Sequence, residues 1–222
     1  RRAWQRPLGF VLLALFCGVA VLAKGPVGLL LPGLVILVFW ALKGRLLQGL
    51  RSTPWLALVA LFLAVAAPWY ALATRANGTE FLGRFLGFSN LERFTSVIYD
   101  HPGPPWFYLP WVVVLLLPWS LFLPVAVARL KLWSLGAWRR ADPAADLPQL
   151  ALVWLVLMVA FFSAAATKLP GYILPVLPAG ALLVGLLFAP LSPAPALGLG
   201  LRVSGWLNAA LVALMAGAAV LA

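Results

Sequence analysis

Long apolar runs separated by short polar gaps make up most of this chain. Each run is close to the ~20 residues with which a helix crosses a ~30 Å hydrocarbon core. Since hydrocarbon offers the backbone no hydrogen-bond partner, such runs must be helical. The pattern predicts an all-α, polytopic integral membrane protein, a helical bundle with about seven transmembrane helices. The runs cover roughly 7–23, 27–42, 54–74, 105–128, 149–167, 171–190 and 203–222.

Basic residues collect in alternate gaps between these runs, which predicts an orientation in the membrane. If the N-terminal end is cytoplasmic, eleven of the sixteen Lys and Arg residues lie inside, as the positive-inside rule favours. The inside residues are Arg1, Arg2, Arg6, Lys43, Arg45, Arg51, Arg129, Lys131, Arg139, Arg140 and Arg202. The outside residues are Lys24, Arg75, Arg84, Arg93 and Lys168.

The composition supports the membrane class and argues against a nucleic-acid partner. Hydrophobic residues make up 64% of the chain and charged residues only 9%. A net charge of +11 would indicate nucleic-acid binding in a soluble protein. Here the positive charge lies in short gaps, where it sets topology and contacts membrane lipids.

The polar residues outside the runs predict a working surface on the outer face. We interpret residues 75–104 as an outer loop and residues 129–148 as a cytoplasmic linker. Within the outer loop, Phe81, Phe85, Phe88 and Leu91 recur at helical spacing, which predicts an amphipathic helix lying in the interface.

Two lysines end apolar runs beside glycine or proline on the outer side. Taken singly, Lys24 and Lys168 are each best explained as a lysine that extends its ammonium to the membrane interface. Their shared side suggests a second interpretation. Together with Arg84 and Arg93 they could surround a lipid-borne phosphate, which lysine and arginine both bind.

The outer loop also contains the one histidine of the chain. His101 precedes Pro102 and Gly103 in a rigid turn. A lone histidine is usually a hydrogen-bonded loop residue, and the sequence shows no zinc-site spacing. Glu92 and Asp100 are candidate acid or base groups, although carboxylates beside an arginine usually belong to a solvated loop.

Aromatic residues follow that turn. Trp106, Phe107, Tyr108 and Trp111 fit an interfacial aromatic belt. Tyr172 differs from them, because it follows a Lys-Leu-Pro-Gly break and would project from the top of a run toward the outer loop.

A non-enzymatic class of function remains open at this point: a lipid-binding membrane protein, a lipid flippase or a transporter. Transport of a polar substrate through the core requires polar or charged residues at mid-membrane depth. The predicted spans carry Ser120, Ser163 and Asn208 but no central Asp, Glu, Lys or Arg. The pattern therefore favours chemistry at the membrane surface.

Six segments, taken in order, resemble the polytopic GT-C glycosyltransferases, specifically the bacterial superfamily of aminoarabinose transferases and protein-O-mannosyltransferases. They are "LAKGPVGLLLP" at 22–32, "PWY" at 68–70, "NLERF" at 90–94, "HPGPPWFYLP" at 101–110, "PWSLFLP" at 118–124 and "KLPGYILPVLPA" at 168–179. The resemblance covers residues from about 8 to 190 and implies a GT-C type membrane fold.

The resemblance also implies an activity, a set of partners and a location. Such enzymes are inverting glycosyltransferases that move a sugar from a polyprenyl-phosphate carrier to a lipid A-like lipid or a protein. They lie in the bacterial inner membrane with the active site facing the periplasm. Their catalytic carboxylate lies in an earlier periplasmic loop, so residues 1–222 are expected to be a C-terminal fragment of one transmembrane domain, inactive by itself.

Carried over by position, the resemblance assigns site residues. Lys24, Arg93 and Lys168 would line the carrier-phosphate site, with Tyr172 close to it. The active-site loop would contain Arg84, Asn90, Glu92, His101 and Tyr108. A divalent metal ion is a further option, with His101 as its ligand, because acidic and histidine groups hold a cation there in some relatives.

Overall fold

The computed structural model describes residues 5–78, 80–83, 85, 93–96, 101–129, 135–139, 143–189 and 198–221. Within these ranges the chain forms helices and turns, and no strand is present. The predicted all-α membrane fold is confirmed. The chain divides into two compact units, Arg1–Pro102 with Ala165–Thr167, and Gly103–Ala164 with Lys168–Ala222.

The first unit contains three long apolar helices and three short ones. Their bounds are α1 Gln5–Lys24, α2 Val27–Leu42, α3 Leu46–Ser52, α4 Trp55–Asn77, α5 Glu80–Gly83 and α6 Arg93–Thr95. α1 packs against both α2 and α4. Glycine sets the closeness of these contacts, because a Cβ atom on Gly18 would lie 2.8 Å from Cβ of Val65 in α4.

The turn between α1 and α2 depends on the glycines of the "AKGPVG" segment. Gly25 has a φ of +73°, which an L side chain rarely adopts, and its N–H donates to the carbonyl of Val21 at 2.8 Å. A Cβ atom on Gly28 would lie 2.5 Å from the carbonyl carbon of Ala20. The hydroxyl of Tyr70, on α4, also donates to the Val21 carbonyl, at 3.0 Å.

The second unit contains the remaining helices. Their bounds are α7 Tyr108–Leu115, a 3-10 helix Trp119–Phe122, α8 Leu123–Arg129, α9 Leu135–Trp138, α10 Pro143–Ala164, a 3-10 helix Pro170–Val176, α11 Leu177–Phe188 and α12 Leu199–Leu221. A buried cluster joins the 3-10 helix Trp119–Phe122 to α8, α10 and α11: it consists of Phe122, Ala126, Ala151, Leu183, Val184 and Leu187. Gly180 lets Leu116 approach α11, because a Cβ atom there would lie 2.5 Å from Cδ1 of Leu116.

The apolar run predicted over 105–128 is not one continuous helix. Tyr108–Leu115 and Trp119–Ala128 meet at an angle of 107°. Proline explains the break, since Pro118 has no N–H to donate and disfavours helical geometry in the residue before it. The carbonyl of Pro118 accepts a hydrogen bond from the side-chain amide of Asn208, at 2.9 Å.

The predicted count of about seven spans is not confirmed. Five described helices are long and apolar enough to cross a membrane, and the bent pair would make six. α2 is apolar but has only 16 residues. Each of the predicted runs nevertheless contains helix.

The predicted loops differ from the structure at their borders. α4 extends to Asn77, two residues past the predicted start of the outer loop, whose place relative to the membrane stays a prediction. The predicted linker over 129–148 includes α9, and α10 begins at Pro143 rather than after Pro148. The predicted interfacial helix falls mostly on residues 84 and 86–92, which lie outside the described residues, so it stays a prediction.

We expect Gly28→Ala to lower the unfolding temperature of the full-length protein in detergent. The added methyl group would press on the backbone of α1, and overpacking of this kind costs about 1–3 kcal/mol. Gly33→Ala is the matched control in the same helix, since no neighbouring atom lies within 4 Å of the added Cβ position. Tryptophan fluorescence during heating measures both variants. Equal unfolding temperatures would contradict the close approach of α1 and α2.

Candidate functional site

Lys168 lies between α10 and the following 3-10 helix, and its side chain folds back onto α10. Its Nζ atom donates to the carbonyl oxygens of Phe162, at 3.2 Å, and Ser163, at 2.5 Å. The last carbonyls of a helix have no partner within the helix and carry partial negative charge, so an ammonium group there is stabilising. Only 5% of Lys168 is exposed, and this burial lowers the pKa of its ammonium group.

Tyr108 supports the turn that Lys168 begins. It is the first residue of α7 and has no exposed surface. Its hydroxyl oxygen accepts a hydrogen bond from the backbone N–H of Leu169, at 3.1 Å. The Lys168 Nζ atom lies 5.8 Å from the centre of the Tyr108 ring, within the range of a cation–π contact.

Tyr172 lies in the 3-10 helix that follows. Its N–H donates to the carbonyl of Leu169 at 3.0 Å, and its half-buried ring lies 5.9 Å from the ring of Phe162. The ring of Tyr108 lies 6.1 Å from the same phenylalanine. The structure thus brings together three of the predicted site residues, Tyr108, Lys168 and Tyr172, around Phe162.

The "HPGPP" segment contributes Gly103 to this cluster. A Cβ atom on Gly103 would lie 2.7 Å from Cγ and 3.1 Å from Cβ of Lys168. The same atom would lie 3.2 Å from the ring of Phe107. The absence of a side chain at this position therefore leaves room for the stem of Lys168.

A pair of hydrogen bonds that the sequence analysis missed joins residues 94–96 to residues 165–167 in the first unit. The N–H of Ala166 donates to the carbonyl of Phe94 at 2.9 Å. The hydroxyl of Thr167, which is 2% exposed, donates to the carbonyl of Ser96 at 2.8 Å. Arg93 precedes one segment in the chain and Lys168 follows the other. The sequence offered one signal for these hydrogen bonds, a threonine directly before Lys168 at the end of an apolar run.

The other predicted site residues belong to the first unit or lie outside the described residues. Lys24 is the exposed last residue of α1, and His101 is exposed in a segment without regular structure. Arg93 begins α6. Their arrangement with Lys168 around one phosphate stays a prediction. Arg84, Asn90 and Glu92 lie outside the described residues, so their predicted place in the active-site loop is untested.

Tyr108 is buried, unlike the nearby Trp106. The resemblance implies a place for Tyr108 in the active-site loop, which stays a prediction, and the structure shows it as the completely buried first residue of α7. Trp106 is 62% exposed, as an interfacial aromatic belt requires. The Tyr108 hydroxyl has a partner inside the protein, the Leu169 N–H, as buried polar groups generally do.

The described residues do not assemble a metal-binding donor set. No three His, Cys, Asp or Glu side chains come together within the described ranges. Glu92 and Asp100, the acidic residues closest to His101 in the sequence, fall outside those ranges. The prediction of His101 as a metal ligand is therefore not tested.

Comparison with known proteins identifies the relatives of this chain. It is 41% identical, over 83% of its length, to undecaprenyl phosphate-alpha-4-amino-4-deoxy-L-arabinose arabinosyl transferase of Pseudomonas aeruginosa strain UCBPP-PA14. It is 37% identical, over 77% of its length, to the enzyme of the same name from Shewanella sediminis. These matches cover 31% and 29% of the relatives. No protein-family model matches the chain.

A solved structure agrees with the sequence relatives. The crystal structure of ArnT from Cupriavidus metallidurans bound to undecaprenyl phosphate superposes with a TM-score of 0.69 and 35% sequence identity. The match covers 85% of this chain and 32% of that protein. Over most of its length the chain is therefore similar to the aminoarabinose transferases. The resemblance to the GT-C class is thereby confirmed.

The matches cover only part of these relatives. The chain spans about a third of the length of the curated relatives it matches. The likeness to ArnT, a membrane protein, and the long apolar helices make the chain an integral membrane protein.

We expect Tyr108→Phe to destabilise the protein more than Tyr70→Phe does. Loss of the Tyr108 hydroxyl leaves the Leu169 N–H without its acceptor, and an unsatisfied buried donor costs about 1–3 kcal/mol. Loss of the Tyr70 hydroxyl leaves the Val21 carbonyl still bonded to the N–H of Gly25. Chemical denaturation of both variants in detergent measures the difference. A larger effect of Tyr70→Phe would contradict this account of Tyr108.

Proposed function

We propose that the full-length protein is an inverting glycosyltransferase that takes 4-amino-4-deoxy-L-arabinose from undecaprenyl phosphate. The observation that carries the proposal is the 35% identity to carrier-bound ArnT over 85% of this chain. The names of the curated relatives, which are arabinosyl transferases acting from undecaprenyl phosphate, support the same activity. The acceptor is a lipid A-like lipid or a protein.

The proposed reaction breaks the bond between the anomeric carbon and the carrier phosphate. An acceptor hydroxyl oxygen attacks the anomeric carbon from the opposite face, so the configuration at this carbon inverts. The electron pair of the broken bond stays on the phosphate oxygen, and the hydroxyl proton passes to a base. The family resemblance implies a carboxylate as that base.

Negative charge grows on the carrier phosphate as this bond breaks. Groups that hold the phosphate more strongly in the transition state than in the ground state therefore accelerate the reaction. Guanidinium and ammonium groups fill this role because they bind phosphate oxygens with charge-assisted hydrogen bonds. The work of this chain is to hold and stabilise the leaving group.

We assign the binding of the carrier phosphate, which is the leaving group, to Lys24, Arg93 and Tyr172. Lys24 ends α1 at a turn fixed by Gly25 and by the bond between Tyr70 and Val21. Arg93 directly precedes Phe94, and the carbonyl of Phe94 accepts a hydrogen bond from the N–H of Ala166. Arg84, Asn90, Glu92 and His101 complete the proposed active-site loop. We retain a divalent metal ion with His101 as an option, and no step of the reaction above uses it.

We place the site on the periplasmic side of the bacterial inner membrane. The excess of basic residues in alternate gaps supports a cytoplasmic start of α1. Lys24, at the opposite end of α1, then lies on the periplasmic side. A carrier-linked sugar at that surface would meet an acceptor on the same side.

The direct test measures transfer by the full-length protein in liposomes containing undecaprenyl-phosphate-linked aminoarabinose. One arm supplies lipid A and the other a periplasmic protein extract, and mass spectrometry detects the added sugar. A lipid product identifies a lipid acceptor, and a modified protein identifies a protein acceptor. Movement of the carrier lipid between leaflets without any transfer would instead favour the flippase interpretation.

We expect Arg93→Ala and Lys24→Ala each to reduce kcat/KM for the carrier-linked sugar by roughly tenfold or more, because each removes a charge-assisted bond to the phosphate. Arg93→Lys should restore part of the loss, since lysine keeps the charge but not the two-pronged geometry. Arg75→Ala, at the exposed end of α4, is the control and should be close to wild type. Wild-type rates for Arg93→Ala at low carrier concentration would refute the assignment of Arg93.

A further inference from the structure

The ammonium group of Lys168 is directed at the backbone of its own chain. An ammonium group has three N–H donors, and the carbonyls of Phe162 and Ser163 engage it from one side. The side chain is 5% exposed. These contacts are those of a group that closes the C-terminal end of α10. The sequence had suggested a different role, in which Lys168 binds the carrier phosphate directly.

Two neighbours hold Lys168 in this position. The ring of Tyr108 lies 5.8 Å from Nζ, and Gly103 lies against the stem with no space for a methyl group. A lysine that extends into solvent or toward a headgroup keeps its charged end exposed. Lys168 is enclosed along its stem and at its charged end instead.

The residues that follow Lys168 in the chain are held by hydrogen bonds to one another and to Tyr108. Leu169 donates its N–H to the Tyr108 hydroxyl and accepts the N–H of Tyr172 at its carbonyl. The Tyr172 ring lies near Phe162, whose carbonyl Lys168 binds. A loss of the Lys168 contacts would therefore release the turn that carries Tyr172.

We propose that Lys168 is a positioning residue, which caps α10 and thereby fixes Tyr172, rather than a direct ligand of the carrier phosphate. This inference rests on the proposed function, in which Tyr172 helps to hold the carrier phosphate. It replaces the direct role that the sequence suggested for Lys168, and it adds Gly103 and Tyr108 as supports of the same turn.

The two roles for Lys168 require different properties of its side chain. A phosphate ligand needs positive charge, because charge supplies much of the attraction to the phosphate. A cap needs N–H donors that reach the carbonyls of α10. Glutamine keeps two N–H donors without charge, whereas methionine fills a similar volume with neither.

The test compares Lys168→Gln with Lys168→Met in the full-length protein in liposomes. We expect Lys168→Gln to keep kcat/KM for the undecaprenyl-phosphate-linked sugar within about threefold of wild type, because it still caps the helix. Lys168→Met should lose roughly tenfold or more, because both carbonyls lose their partner. An equal and large loss in both variants would overturn the proposal in favour of direct phosphate binding.

A double-mutant cycle shows whether Lys168 acts through Tyr172. If it does, Lys168→Met should cause a clearly smaller loss in a Tyr172→Phe background than in wild type, since coupled residues are non-additive. Independent effects that simply multiply would overturn the proposed dependence. The cycle is measured on KM for the carrier-linked sugar as well as on kcat.

Hydrogen exchange provides a readout that does not depend on activity. Lys168→Met should speed exchange of the amide hydrogens of Leu169 and Tyr172, while Lys168→Gln should leave it close to wild type. Unchanged exchange in Lys168→Met would overturn the capping role. If the wild-type protein shows no transfer, the proposed function fails, and the exchange result still decides whether Lys168 holds the turn.

Two glycine variants provide a second test in case the Lys168→Met variant does not fold. Gly103→Ala should displace the Lys168 stem and speed exchange at Leu169 and Tyr172, because the new Cβ would lie 2.7 Å from Cγ of Lys168. Gly185→Ala in α11 is the matched control, since no atom lies within 4 Å of its added Cβ. Equal exchange in the two alanine variants would contradict the enclosure of Lys168.

Discussion

Backbone polar groups in a membrane must find partners within the protein, and this requirement explains several of the polar contacts among the described residues. Hydrocarbon leaves an unpaired carbonyl or N–H at a high free-energy cost. Helices satisfy these groups except at their ends and breaks. At two such places a side chain provides a partner: Asn208 for Pro118, and Lys168 for Phe162 and Ser163. At a third, Tyr70 adds a second donor to the Val21 carbonyl, which already accepts the Gly25 N–H.

The need for backbone hydrogen-bond partners also links the stability of the helix ends to the proposed binding of the carrier headgroup. A helix that ends near the membrane surface needs polar side chains there, and a charged carrier headgroup needs polar residues at the same depth. Tyr108 shows how one residue can serve the structure while lying beside residues proposed to bind the carrier, because its hydroxyl is occupied by the Leu169 N–H. A mutation that abolishes activity near this turn therefore needs a test that separates folding from binding.

The sequence predicted the helical runs and the family, but it predicted few of the contacts within the site. The length of an apolar run indicates whether a helix can cross the hydrocarbon core, so the sequence could predict α1, α4 and α10. The order of the quoted segments carried the family resemblance. The partner of a lysine depends on how the chain turns after a helix, so the folding of Lys168 onto α10 was not foreseeable. The break after Leu115 was missed because the apolar pattern continues across Pro118.

The bond between Asn208 and Pro118 has a consequence for how α12 enters the membrane during synthesis. Among the five candidate spans, α12 has the lowest mean hydropathy, 1.4, and Asn208 contributes to that low value. Its partner carbonyl lies more than eighty residues earlier in the chain, so the ribosome completes it well before α12 emerges. The polar side chain in the least hydrophobic of these candidate spans thus has its acceptor in a segment that is already synthesised when α12 emerges.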